Sequence, residues 1–186
     1  GTWFSDERTT KVGLSVNFHL RGTVGSAAEF ADKCFACYPG YSFVRGNLTH
    51  TEKFAGGWAA TGRTNWQVAG QPVISNEQFS IGGVDSVRGY YEGAAAGDTG
   101  ISWSLEAKTP SFASRLGESV DDAHVVVFVD GGTVQVREPL IGQQDRFNLA
   151  GSGLGLRLRG LRGASAAQPT LTLADTSPTV RQLAQG

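Results

Sequence analysis

Residues 11–20, KVGLSVNFHL, set Val12, Leu14, Val16, Phe18 and Leu20 against Lys11, Gly13, Ser15, Asn17 and His19. Ten residues with a period of two make a β-strand whose faces meet different surroundings. The same alternation returns three times. Trp58, Ala60, Trp66 and Val68 alternate with Ala59, Thr61, Arg63, Asn65 and Gln67; Ile101, Trp103, Leu105 and Ala107 with Ser102, Ser104, Glu106 and Lys108; Leu154, Leu156 and Leu158 with Gly155, Arg157 and Arg159. Weaker strands are read at 41–50, where the phase slips near Val44, at 124–132, apolar on both faces as far as Asp130, and at 169–174. The reading is seven strands and no helix.

The connections near 21–39, 70–97 and 133–146 are long, whereas 51–56 and 160–165 are tight. Strands near ten residues, with turns at one end and longer loops at the other, are the ladder of a transmembrane barrel. A soluble up-and-down barrel with its apolar face inward would show the same alternation, so periodicity leaves both open. Charge decides the orientation in the membrane case, because Lys or Arg on the lipid face at mid-depth costs about 2–4 kcal/mol. The face carrying Lys11, Arg63, Lys108, Arg157 and Arg159 must then line a wet lumen. Trp3, Trp58, Trp66 and Trp103 become candidates for an interfacial girdle. In the membrane case the fold class is all-β, an antiparallel transmembrane β-barrel of which this chain supplies about seven strands. Bacterial barrels usually close with an even number, and SPTVRQLAQG at the end carries no aromatic alternation. Residues 1–186 are therefore expected to be the C-terminal part of a barrel whose N-terminal half and closing strand are absent.

Composition narrows the function classes. The 186 residues hold 16 Lys+Arg and 17 Asp+Glu, a formal charge of -1, so no basic surplus invites a polyanion and no nucleic-acid partner is expected. Without any Met the chain is read as a mature product or a fragment. No run approaches the roughly 18 apolar residues of a membrane helix, and GTWFSDERTT lacks the order of a signal peptide. Glycine, at 26 residues, is about double its usual share and points to turns and close backbone packing.

Few residues suggest catalysis. His19, His50 and His124 are scattered without a matched nucleophile, and Glu106 with Lys108, two apart on one strand face, reads as a structural ion pair. The glycines of 151–155 lie inside an alternating strand and thin the wall for packing rather than cradle a phosphate. Cys34-Phe35-Ala36-Cys37 runs into the turn residues Tyr38-Pro39-Gly40, which suits a small loop disulfide better than a redox helix terminus or half a zinc site. No enzyme activity, metal, cofactor or nucleotide is expected.

Residues 77–110 read EQFSIGGVDSVRGYYEGAAAGDTGISWSLEAKTP. Glu77, Phe79, Gly82, Gly83, the tetrad Val87-Arg88-Gly89-Tyr90, Glu92, Gly93, Gly97, Asp98, Gly100, Ser104, Glu106 and Pro110 resemble the two-partner-secretion outer-membrane transporters (TpsB, haemolysin-activator type). Their superfamily includes the barrel-assembly protein BamA. A second signature, F-x-D-x-G, fits Phe128, Asp130 and Gly132. The resemblance covers roughly 40–175 and implies an outer-membrane pore exporting one large exoprotein, with POTRA domains that are absent here. The implied partners are that exoprotein and the lipid bilayer. A BamA-type assembly factor or surface antigen is the first alternative, and a soluble ligand-binding β-barrel is the alternative of another class.

Within that resemblance, Val87 to Tyr90 form the tip of a loop folded into the lumen. Gly82, Gly83 and Gly89 allow positive φ and close approach, Glu92, Gly97 and Asp98 support the loop, and Tyr90 and Tyr91 wedge it against the wall. Arg88 cannot shed its proton and must be paired in a partly dry lumen. Asp130 faces inward if Val125, Val127 and Val129 face lipid, which makes it the expected partner.

Overall fold

The computed structural model describes residues 1–18, 40–117 and 120–160. Its strands are β1 (Thr2–Phe4), β2 (Arg8–Phe18), β3 (Ser42–Lys53), β4 (Ala59–Ala69), β5 (Phe79–Ile81), β6 (Ala95–Gly97), β7 (Thr99–Lys108), β8 (Asp122–Gln135) and β9 (Arg146–Arg159). Seven form one antiparallel sheet in the order β1-β2-β3-β4-β7-β8-β9, and β5 pairs with β6 alone. The connections 54–58 and 109–121 leave one end of the sheet, while 70–78 and 136–145 leave the other. The described strands do not close into a ring, so the molecule is a partial β-barrel.

Register assigns every strand residue to a face. Gly13, Asn47, Asn65, Ser102, Gly132 and Leu149 make one transverse row, and Lys11, Thr49, Arg63, Ser104, Asp130 and Gly151 make the next but one on the same face. The opposite face presents Val12, Leu14, Val16 and Phe18 on β2, Ile101, Trp103 and Leu105 on β7, Val125, Val127 and Val129 on β8 and Leu154 on β9, all exposed. A contiguous apolar surface of this extent requires a nonaqueous neighbour. The polar face is the one covered, by the long connection between β4 and β7. This orientation is that of a membrane barrel and the reverse of a soluble one.

Trp66 and Trp103 lie within strands on the outward face, and each ring covers the backbone of the glycine directly opposite, Gly46 and Gly131. An aromatic ring laid over a strand glycine supplies the cross-strand packing that glycine cannot. Trp3 and Trp58 lie near the end of the sheet formed by the 54–58 turn.

Six of the seven strands read in the sequence are strands of the large sheet, and the seventh, 169–174, lies outside the described residues. The sheet also holds β1, whose three residues are too few to show a period. The β5–β6 hairpin within the long connection was also unread. Boundaries extend too: β3 continues to Lys53 and β8 to Gln135, which shortens the turns expected at 51–56 and 133–146.

Two apolar clusters lie on the inner side. Tyr41, Phe43, Ala69 and Val73, with Ile74, pack where the long connection leaves β4. Ile81, Val87, Ala95 and Val134, with Phe79, Tyr90, Phe147 and Leu149, fasten the connection onto β8 and β9.

Candidate functional site

Residues 70–98 fold back across the polar face. The reversal begins at Gly82 and Gly83, whose φ angles of 107° and 99° disfavour any side chain. A Cβ on Gly82 would lie 2.5 Å from the Tyr91 carbonyl oxygen, so the two arms of the loop meet there. Glu92 sits over Gly83 and accepts the Val84 N–H at 2.9 Å, while Ser86 Oγ accepts the Gly82 N–H at 2.8 Å. The loop is stiffened locally before it touches the wall.

At its tip, Val87 is fully buried in the second apolar cluster and Arg88 turns to the sheet. The guanidinium donates to both oxygens of Asp130, from Nε at 2.7 Å and Nη2 at 2.9 Å, and the Arg88 backbone N–H adds 3.1 Å to Oδ2. Nη1 reaches Glu106 at 3.0 Å and Nη2 reaches Ser104 Oγ at 3.1 Å. The plane lies over the Phe128 ring, 3.5 Å from its centroid. Asp130 is wholly buried and Glu106 nearly so. Burial opposes the charge on Arg88, but hydrogen bonds to Asp130 and Glu106 outweigh it and hold the guanidinium pKa above its ordinary value.

The second carboxylate is shared. Arg157, from β9, donates to Glu106 at 2.7 and 2.9 Å, so two guanidinium groups and two carboxylates balance within one cluster. This corrects the expected Glu106–Lys108 pair. Residues two apart on a strand share a face without closing on each other, and Arg88 and Arg157 reach Glu106 from the loop and from β9.

The wall is shaped for this contact. A Cβ at Gly151 would collide with the Arg88 carbonyl oxygen, so the loop backbone occupies the space a side chain would fill. Gly132 lies beneath Val87, and Gly97 lies against the Gln135 backbone. Asp98 is buried and accepts N–H groups from Val73 at 2.9 Å and Arg137 at 2.7 Å, joining the start of the long loop to the β8–β9 connection. Tyr90 Oη donates to the Ala150 carbonyl at 3.1 Å. Tyr91 does not wedge against the wall as expected: its side chain is 91% exposed, because the chain has already turned away.

Thus Val87, Arg88, Tyr90, Phe128, Asp130 and Gly132 come together, with Gly89 at φ 96° turning the tip between them, while Gly82, Gly83, Glu92, Gly97 and Asp98 stabilise the loop from behind. Cys34 and Cys37 lie outside the described residues. Arg157 was missed because its partner lies two strands away; Gly151 was read only as wall thinning, although it sits opposite Asp130 in register.

The family model described as haemolysin secretion/activation protein ShlB/FhaC/HecB matches residues 5–158. No curated protein and no solved structure matches.

Proposed function

The chain belongs to the haemolysin secretion/activation family, the outer-membrane transporters of two-partner secretion, and from that premise we propose that Arg88 locks the in-folded loop in the arrangement the pore needs for export. The protein resides in the bacterial outer membrane and passes a secreted exoprotein to the cell surface. In this reading its apolar face meets the bilayer and its polar face lines the passage. The open edges at β1 and β9 are where further barrel strands attach, since hydrocarbon does not tolerate unpaired edges. Transport proceeds without a catalysed reaction, nucleotide or cofactor.

The observation that carries the proposal is the complete engagement of Arg88: two carboxylates, a hydroxyl and an aromatic face surround one guanidinium. A bidentate arginine–carboxylate pair fixes orientation as well as distance. A loop released from it would sample the lumen and obstruct the passage. The test is export of the cognate exoprotein by full-length transporters at equal abundance in the membrane. Arg88→Ala and Asp130→Ala are both expected to lose export, and Arg88→Lys to restore little, since an ammonium lacks the planar fork. Wild-type export by both alanine variants would overturn the lock.

A further inference from the structure

The loop is fixed to the barrel wall at two separated places. Besides the tip, its neck is held by Gln67, a wholly buried amide on β4 whose Nε2 donates to the carbonyls of Glu77 at 2.9 Å and Asp98 at 3.0 Å. Those carbonyls flank segment 78–97, so one wall side chain joins both of its ends. Arg45, on β3, donates to Gln67 Oε1 through Nε and to the Glu77 carbonyl through Nη2 at 2.8 Å. Withdrawing the loop would strip a buried amide of these partners as well as breaking the ion pairs at the tip.

The loop does not contact the two halves of the sheet alike. Its hairpin lies on β7, β8 and β9, where Gly97 and Gly151 let backbone meet backbone and Gly132 leaves room for the Ile81 and Val87 side chains. Beside it, against β2, β3 and β4, a cavity of about 660 Å³ remains, lined by uncharged polar side chains that include Ser15, Asn47 and Asn65 and by the charged Arg45, Asp85 and Glu92. Hydroxyls and amides at these positions offer hydrogen bonds to any peptide backbone without holding one side chain tightly, as passage of an extended polypeptide demands.

We infer that the loop stays seated during export and that the unfolded exoprotein moves along the β2–β4 wall through this cavity. The inference rests on the family function but not on the energetic importance of Arg88. Its test uses the full-length transporter with Cys34→Ser and Cys37→Ser. A Cβ built at Gly132 lies 3.3 Å from Val87 Cγ2, within reach of a sulfur, so Val87→Cys with Gly132→Cys can tether the seated loop. Holding a state already populated shifts little, so oxidation should lower export less than about twofold relative to the reduced form. Arrest on oxidation, reversed by reductant, would overturn the inference. In separate variants carrying a photo-crosslinking amino acid, a stalled exoprotein should be captured from positions 47 and 65 and not from 149. Capture at 149 alone would also overturn it. Failure of the Arg88 lock would instead appear as normal export by Arg88→Ala, whichever wall captures substrate.

Discussion

The inner faces of β2–β4 and β7–β9 belong to one sheet, yet they are built for different purposes. On β7–β9 the wall is glycine-rich and two of its carboxylates are buried: Asp130 and Glu106 take Arg88, and Gly151 accepts the loop backbone. On β2–β4, below the neck clamp at Gln67, the hydroxyl and amide side chains border an open cavity. A surface that holds a fixed element needs complementary shape and paired charge, whereas a surface along which a chain slides needs many weak, interchangeable contacts. The contrast teaches that the lumen is divided lengthwise into a seat and a lane.

Breaking the seat should have the largest effect. Arg88→Ala strands Asp130, and removing one partner of a buried pair typically costs about 3–5 kcal/mol. Thermal unfolding of the purified full-length barrel in detergent should show the loss, together with the failure of export. Next, Gly151→Val pushes a side chain into the Arg88 carbonyl and should cost about 1–3 kcal/mol by overpacking. It should mimic the export defect although it alters no charge. Gln67→Leu removes a donor shared by the Glu77 and Asp98 carbonyls, the second of them buried, and should cost about 1–3 kcal/mol, read as faster proteolysis within 70–98. On the other wall, Asn65→Ala should change stability by no more than about 0.5 kcal/mol and show itself only in export rate. A larger stability loss at Asn65 than at Gly151 would erase the distinction between seat and lane.

Much of this was legible in the sequence, and what was hidden has one cause. The periods of β2, β4, β7 and β9 are clear because one face meets lipid and the other water or polar groups. The phase slip near Val44 and the two-sided apolar run before Asp130 arise where the inner face is covered. Phe43 packs with Tyr41, Ala69 and Val73, and Phe128 lies under Arg88. Pattern reading assumes that inward means wet, and an in-folded loop breaks that assumption locally. Arg88 and Asp130 could be matched because each is a lone charge in a motif. Arg157 and Gly151 could not, because their significance depends on register across β8 and β9, and Gln67 looks like any other polar residue on an alternating strand.

The central claim is that the loop is seated on one half of the wall through Arg88. Asn65 and Ser102 are direct neighbours in register at the edge of the cavity, but Ser102 is 2% exposed beneath the loop side and Asn65 partly open. Single cysteines at these positions, in full-length transporter lacking Cys34 and Cys37, can be labelled in outer membranes with a small polar maleimide. The account predicts rapid labelling of Asn65→Cys and protection of Ser102→Cys, with that protection lost when Arg88→Ala is added. Equal labelling at both positions with Arg88 in place would contradict it.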